Sequence, residues 1–66
     1  MDKRDVEIIL ALADNNMNAT ETAKRLYMHR NTVIYHIVKV KKFTGLDATN
    51  FYDLHKLVQM VGEGER

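Results

Sequence analysis

Sixty-six residues with ten Lys plus Arg against nine Asp plus Glu give a formal charge of +1 and make one small domain, too short for two cores. Without cysteine or proline the chain has no disulfide framework, no thiolate metal site and no cysteine nucleophile. Its longest apolar run, Ile8 to Ala13, is six residues, against about 20 for a bilayer-spanning helix; with 45% apolar and 29% charged residues a soluble, cytoplasmic, globular chain with no membrane partner is expected.

The first element spans residues 3–14, with Val6, Ile9, Leu10 and Ala13 at helical spacing and Asp2 and Asp5 at the end where acids suit the helix dipole. Asn15, Asn16 and Asn18 make a loop around Met17, and Asn18 or Thr20 can cap the next helix. A short helix over residues 19–26 turns Ala19, Ala23 and Leu26 inward, and Tyr27-Met28-His29 interrupts it, with Met28 as the apolar residue of the connection. A longer helix over residues 30–44 carries Val33, Ile37, Val40 and either Phe43 or Thr44 on one side, and Gly45 stops it. Thr32 to Val38 is rich in Val and Ile, a strand signal, but the three- and four-residue spacing continues through Val40 and Phe43, which favours helix. Asn50 and Asp53 resemble a capping pair before Phe51, Leu54, Leu57, Val58 and Val61, a fourth helix over residues 50–61, with residues 62–66 as a frayed tail. The expected fold is all-α, a small four-helix domain.

The near-zero net charge hides a gradient: residues 1–22 carry −3, residues 23–44 carry +6 with no acid, and residues 45–66 carry −2. An anionic partner meets the local potential, not the sum. A short helix, a tight turn and a longer helix, with the small Ala23 permitting close approach, form a helix-turn-helix. Arg30, Asn31 and Thr32 lead the longer helix, and Tyr35, His36 and Lys39 come after them on the same broad surface. Arg bonds guanine bidentately, Asn does so for adenine, and hydroxyls reach bases or phosphates. The second helix of the motif enters the major groove tip first, and Thr20 and His29 fall where helix ends meet phosphate. If four to six phosphates were neutralised, log K against log salt would have a slope of about −4 to −5.

The residues Ala23-Lys24-Arg25-Leu26-Tyr27-Met28-His29-Arg30-Asn31-Thr32-Val33, then Phe43-Thr44-Gly45-Leu46-Asp47, resemble the C-terminal helix-turn-helix domain of the PucR/CdaR family of bacterial transcription regulators. The likeness extends more weakly through the first helix and Asn50 to Leu54, and a related arrangement occurs at the DNA-binding end of Fis-like proteins. The resemblance implies sequence-specific binding to double-stranded DNA and a place in the bacterial nucleoid. It also implies a homodimer in the full-length protein and an effector-sensing domain elsewhere in a longer chain, of which these residues would be a fragment. In that family arginine is common at the positions of Ile34 and His36, and a basic residue at that of Val38. Ile34 and Val38, four apart, read as an exposed apolar stripe suited to thymine methyls, a partner subunit or a neighbouring domain, or to nothing.

The rival reading is a helical protein-protein or dimerisation module using the Ile34/Val38 face; RNA binding lacks a stacking platform of aromatics. Tyr35 is either a packing residue or a phosphate donor, and Tyr27 and Tyr52 are read as packing residues. His29, His36 and His55 do not have metal-ligand spacing. There is no carboxylate pair, no nucleophile with a base and no glycine-rich phosphate loop, so neither enzyme activity, nor a cofactor, nor a metal is expected.

Overall fold

The computed structural model of the chain describes residues 1–64, with side chains to residue 62. Four helices succeed one another, α1 (Lys3–Asp14), α2 (Ala19–Arg25), α3 (Arg30–Thr44) and α4 (Phe51–Gly64), and among the described residues there is no strand. α1 packs on the other three helices and α2 packs on α3. The core of Ile8, Ile9, Leu12, Ala23, Val33, Ile37, Val40, Ala48, Leu54, Leu57 and Val61 lies where they meet.

A capping box starts α1: the Asp2 carboxylate accepts from the Asp5 N–H at 2.9 Å, and the Asp5 carboxylate accepts from the Asp2 N–H at 3.3 Å. Its buried residues are Asp5, Ile8, Ile9 and Leu12, so the helix is rotated from the expected face, and Leu10 and Ala13 are exposed. The unbroken apolar run from Ile8 to Ala13 carries no phase information. On the inward face the polar Asp5 is buried, with its partners on α3.

Asn18 caps α2 by accepting the Glu21 N–H at 3.0 Å. The helix closes at Arg25 with Leu26 as its cap, and the Met28 N–H reaches the Ala23 carbonyl at 3.0 Å while the Tyr27 N–H reaches that of Lys24 at 3.3 Å. That pair of bonds is a Schellman closure, in which the residue at Tyr27's place adopts a left-handed conformation, here φ 54°. Met28 is drawn onto the core, as expected. Tyr27 does not pack: it is 97% exposed, and Tyr52 is exposed as well. Thr22 is fully buried, and among the described residues its hydroxyl has no hydrogen-bond partner.

On α3, Val33, Ile37 and Val40 face inward, each worth roughly 1.5–3 kcal/mol when buried. Thr44 continues this side, its hydroxyl donating to the Val40 carbonyl at 2.8 Å, while Phe43 turns out to solvent. Gly45 ends the helix at φ 78°, its N–H on the Lys41 carbonyl at 2.8 Å. Asn50 caps α4 through the Tyr52 and Asp53 N–H groups at 3.0 and 3.2 Å. The Asp53 carboxylate turns back to the Asp47 N–H at 3.1 Å, so the pair is not reciprocal. Leu54, Leu57 and Val61 are buried and Val58 packs beside them, but Phe51 is exposed. The helix continues through Gly62 to Gly64, past the expected start of a frayed tail, because Gly62 stays in the helical region rather than going left-handed as Gly45 does. Residues 65–66 lie outside the described residues.

Candidate nucleic-acid interface

The two ends of the turn before α3 are built from the local sequence. His29 is its N-cap, with Nδ1 accepting the Asn31 N–H at 3.0 Å. That bond requires an unprotonated Nδ1, which leaves the Nε2–H free to donate outward. α1, α2 and α4 each have an acid in the first turn, whereas α3 has none and opens on Arg30. The partial positive charge of a helix N-terminus is usually countered by such an acid. In α3 it is reinforced by a guanidinium, an arrangement poorer for the helix alone and better for an external anion.

Arg30, Asn31 and Thr32 are all exposed in this first turn, and Thr20 is exposed on α2. With the side of Val33, Ile37 and Val40 turned inward, the helical period puts Asn31, Tyr35, Val38 and Lys42 along the opposite, outward stripe. Tyr35 is 63% exposed and Val38 47% exposed. Ile34 is half-buried beside them, so Ile34 and Val38 do not form the expected exposed apolar stripe.

Two expected interface residues, His36 and Lys39, make contacts within the fold. The His36 Nδ1 lies 2.6 Å from the Asp5 Oδ1, and both side chains are largely buried between α1 and α3. Lys39 extends the same contact, with its Nζ 2.6 Å from the Asp2 Oδ2 and 3.2 Å from the Asp5 Oδ2. Both side chains therefore tie α3 to α1. Hydrogen bonding to Lys39, and then to the Asp5 N–H, lowers the Asp2 carboxyl from 3.8 to about 2. Asp2 and then Asp5 raise the Lys39 ammonium above 10.5. Asp2, Asp5 and His36 also present ligand-type atoms within 4.8 Å of one another, but the Lys39 ammonium already supplies the cation between the two carboxylates.

The mid-chain charge is thus partly spoken for. Lys24 pairs with Glu21 at 3.4 Å, Lys39 with Asp2 and Asp5, and Lys41 with Asp47 at 3.8 Å. Among the described residues, Arg25, Arg30 and Lys42 are the cations of this segment with no carboxylate within ion-pair distance. Lys42 lies outside the expected set. Its signal is present in the sequence, since it stands eleven residues after Asn31 on the same helical stripe.

The family model for the PucR C-terminal helix-turn-helix domain matches residues 6–59. The carbohydrate diacid regulator of Escherichia coli (strain K12) is 41% identical over 39 residues, which is 59% of this chain. The matched stretch spans only 10% of that regulator's length. No solved structure matches.

Proposed function

The chain belongs to the PucR C-terminal helix-turn-helix domain family, and from that premise we propose that it binds double-stranded DNA sequence-specifically, with α3 in the major groove. Membership already makes it a DNA-binding domain of a transcription-regulator family. The finer reading rests on one observation: α3 has no acid along its length and presents Arg30, Asn31, Thr32, Tyr35 and Lys42 to solvent. Arg30 and Asn31 read base edges, Thr32 and Tyr35 contact bases or phosphates through their hydroxyls, and Lys42 contacts phosphate. Thr20 and the His29 Nε2–H donate to backbone phosphates where the helix ends approach them.

The longer protein is a homodimer with an effector-sensing domain outside this chain, and its two-fold axis pairs half-sites an integral number of turns apart, about 34 Å per turn. The two cations that this reading places on DNA, Arg30 and Lys42, give a salt slope for one domain of about −2. That is shallower than the mid-chain charge alone implies.

Amide-shift titration of the domain with a random 15-mer duplex at low salt tests the reading. The expected result is perturbation of the first turn of α3 and of Tyr35, Val38 and Lys42, with α4 still. Shifts confined elsewhere, or none, would overturn it.

A further inference from the structure

Resting on the reading of α3 as the groove helix, we propose that Val38 and Tyr35 form an apolar pad that recognises the 5-methyl group of a pyrimidine, thymine in ordinary DNA. Base edges in the major groove are otherwise donors and acceptors, and the thymine methyl is their one apolar group. A half-exposed valine in the middle of a reading stripe has no hydrogen bond to offer and is matched to that group.

Three observations carry the assignment. The stripe runs Asn31, Tyr35, Val38, Lys42, so the apolar pair is bracketed by a base-reading amide and an unpaired cation, and no carboxylate lies on α3. Such a face suits a polyanion with an apolar spot between its phosphates and repels an acid-free cationic partner. Tyr35, Val38, Lys39 and Lys42 line a shallow hollow on this face, with Lys39 held aside by Asp2 and Asp5 at 2.6 and 3.2 Å. The pad is also held in place. The Tyr35 ring meets the His36 ring edge-on, centroids 5.2 Å apart and planes at 80°, and His36 is tied to buried Asp5. Valine in a helix keeps essentially one rotamer, so neither side chain loses much freedom on contact.

Val38 lies seven residues beyond Asn31, about 10 Å along the helix axis, the length of roughly three base-pair steps. The methyl it reads is therefore roughly two to four base pairs from the base read by Asn31.

A site is selected from a random duplex pool with the domain, and the base read by Asn31 is located with Asn31→Ala. Each thymine is then replaced singly by deoxyuridine, which removes only the methyl. The expected result is a loss of about fourfold in wild-type affinity at one thymine in that interval, the equivalent of ~0.8 kcal/mol for one buried methyl. Val38→Ala, with an unchanged melting temperature, binds the thymine duplex about as weakly as the wild type binds the uracil one, and is indifferent to the swap. Wild-type binding indifferent to every thymine-to-uracil replacement overturns the methyl assignment alone, as does methyl dependence that survives in Val38→Ala. Failure to bind any duplex overturns the DNA reading with it.

Discussion

Lys39 and Lys42 are three residues apart on one helix and have opposite fates. Lys39 faces α1, where two carboxylates hold it at 2.6 and 3.2 Å beside the buried His36–Asp5 contact. Lys42 faces solvent with no carboxylate within ion-pair distance among the described residues. One flank of α3 is an anchor and the other is an offering. Formal charge counts both alike, yet Lys39 is already paired within the fold and Lys42 is not, among the described residues.

The largest effect is expected on the anchor. Asp5→Ala leaves the buried His36 ring facing a gap and Lys39 with Asp2 alone, and removing one partner of a buried hydrogen-bonded contact costs up to about 3 kcal/mol. For a domain of this size that is a fall in melting temperature of roughly 12–24 °C. Thermal unfolding by circular dichroism measures it, and an unchanged midpoint would mean that the α1 flank does not orient the helix.

The offering flank should respond in the opposite sense. Arg30→Glu puts at the start of α3 the acid that the other three helices have there, so stability stays level or rises by about 0.5 kcal/mol. DNA affinity on a selected site falls by at least about 1–3 kcal/mol. Lys42→Ala weakens binding to all sequences alike and flattens the salt slope by about one, whereas Lys39→Ala lowers the melting temperature and leaves that slope unchanged. Affinity and melting measured on the same three variants separate the flanks, and a Lys39 variant with a flattened slope would merge them.

Much of this arrangement is legible in the sequence. Caps at Asn18 and Asn50, the acids at the start of α1 and the stop at Gly45 are local signals, so the four helices lie within two or three residues of their expected ends. The leading turn from Arg30 to Thr32 comes from the same boundary. The departures at His36 and Lys39 are non-local. Their partners lie 31 and 37 residues away, and periodicity fixes which side of α3 is inward without telling which flank meets a neighbour. Leu10 departs from its expected face because six consecutive apolar residues from Ile8 fit several helical faces equally. Tyr27 reads as a packing residue because aromatics generally bury, and its left-handed backbone turns the ring away from the core.

Tyr27 also sharpens the contrast between strain and packing. At φ 54° a residue with a Cβ is strained, and at 97% exposure its ring recovers nothing from the core. Gly45 closes α3 at φ 78° without that penalty. Tyr27→Gly is therefore expected to stabilise the domain by about 1 kcal/mol, raising the midpoint by roughly 4–8 °C. A lower midpoint would show that the ring is held by contacts of its own.

The smallest effect concerns pH and again divides the flanks. The Asp2 carboxyl is lowered to about 2, chiefly by Lys39, and the Thr49 hydroxyl and N–H lower Asp47 in the connection to α4. A carboxyl lowered by folding contributes its stability in full above the unfolded value of 3.8 and loses it as the pH falls through the folded value. Lys39, raised above 10.5, contributes below that value and loses its part only as the pH climbs past the folded one. The Asp2–Lys39 pair is solvent-exposed and salt screens it, so the limb is shallow and shrinks further at high ionic strength. Asp2→Asn keeps the N-cap, since asparagine caps as well as aspartate, and removes the charge together with the Oδ2 acceptor that Lys39 uses. Midpoints followed from about pH 5 to about pH 2 should then fall less steeply in the variant than in the wild type, by a margin that closes as salt is added. Parallel curves at low salt would leave the buried His36–Asp5 contact as the whole of the anchor.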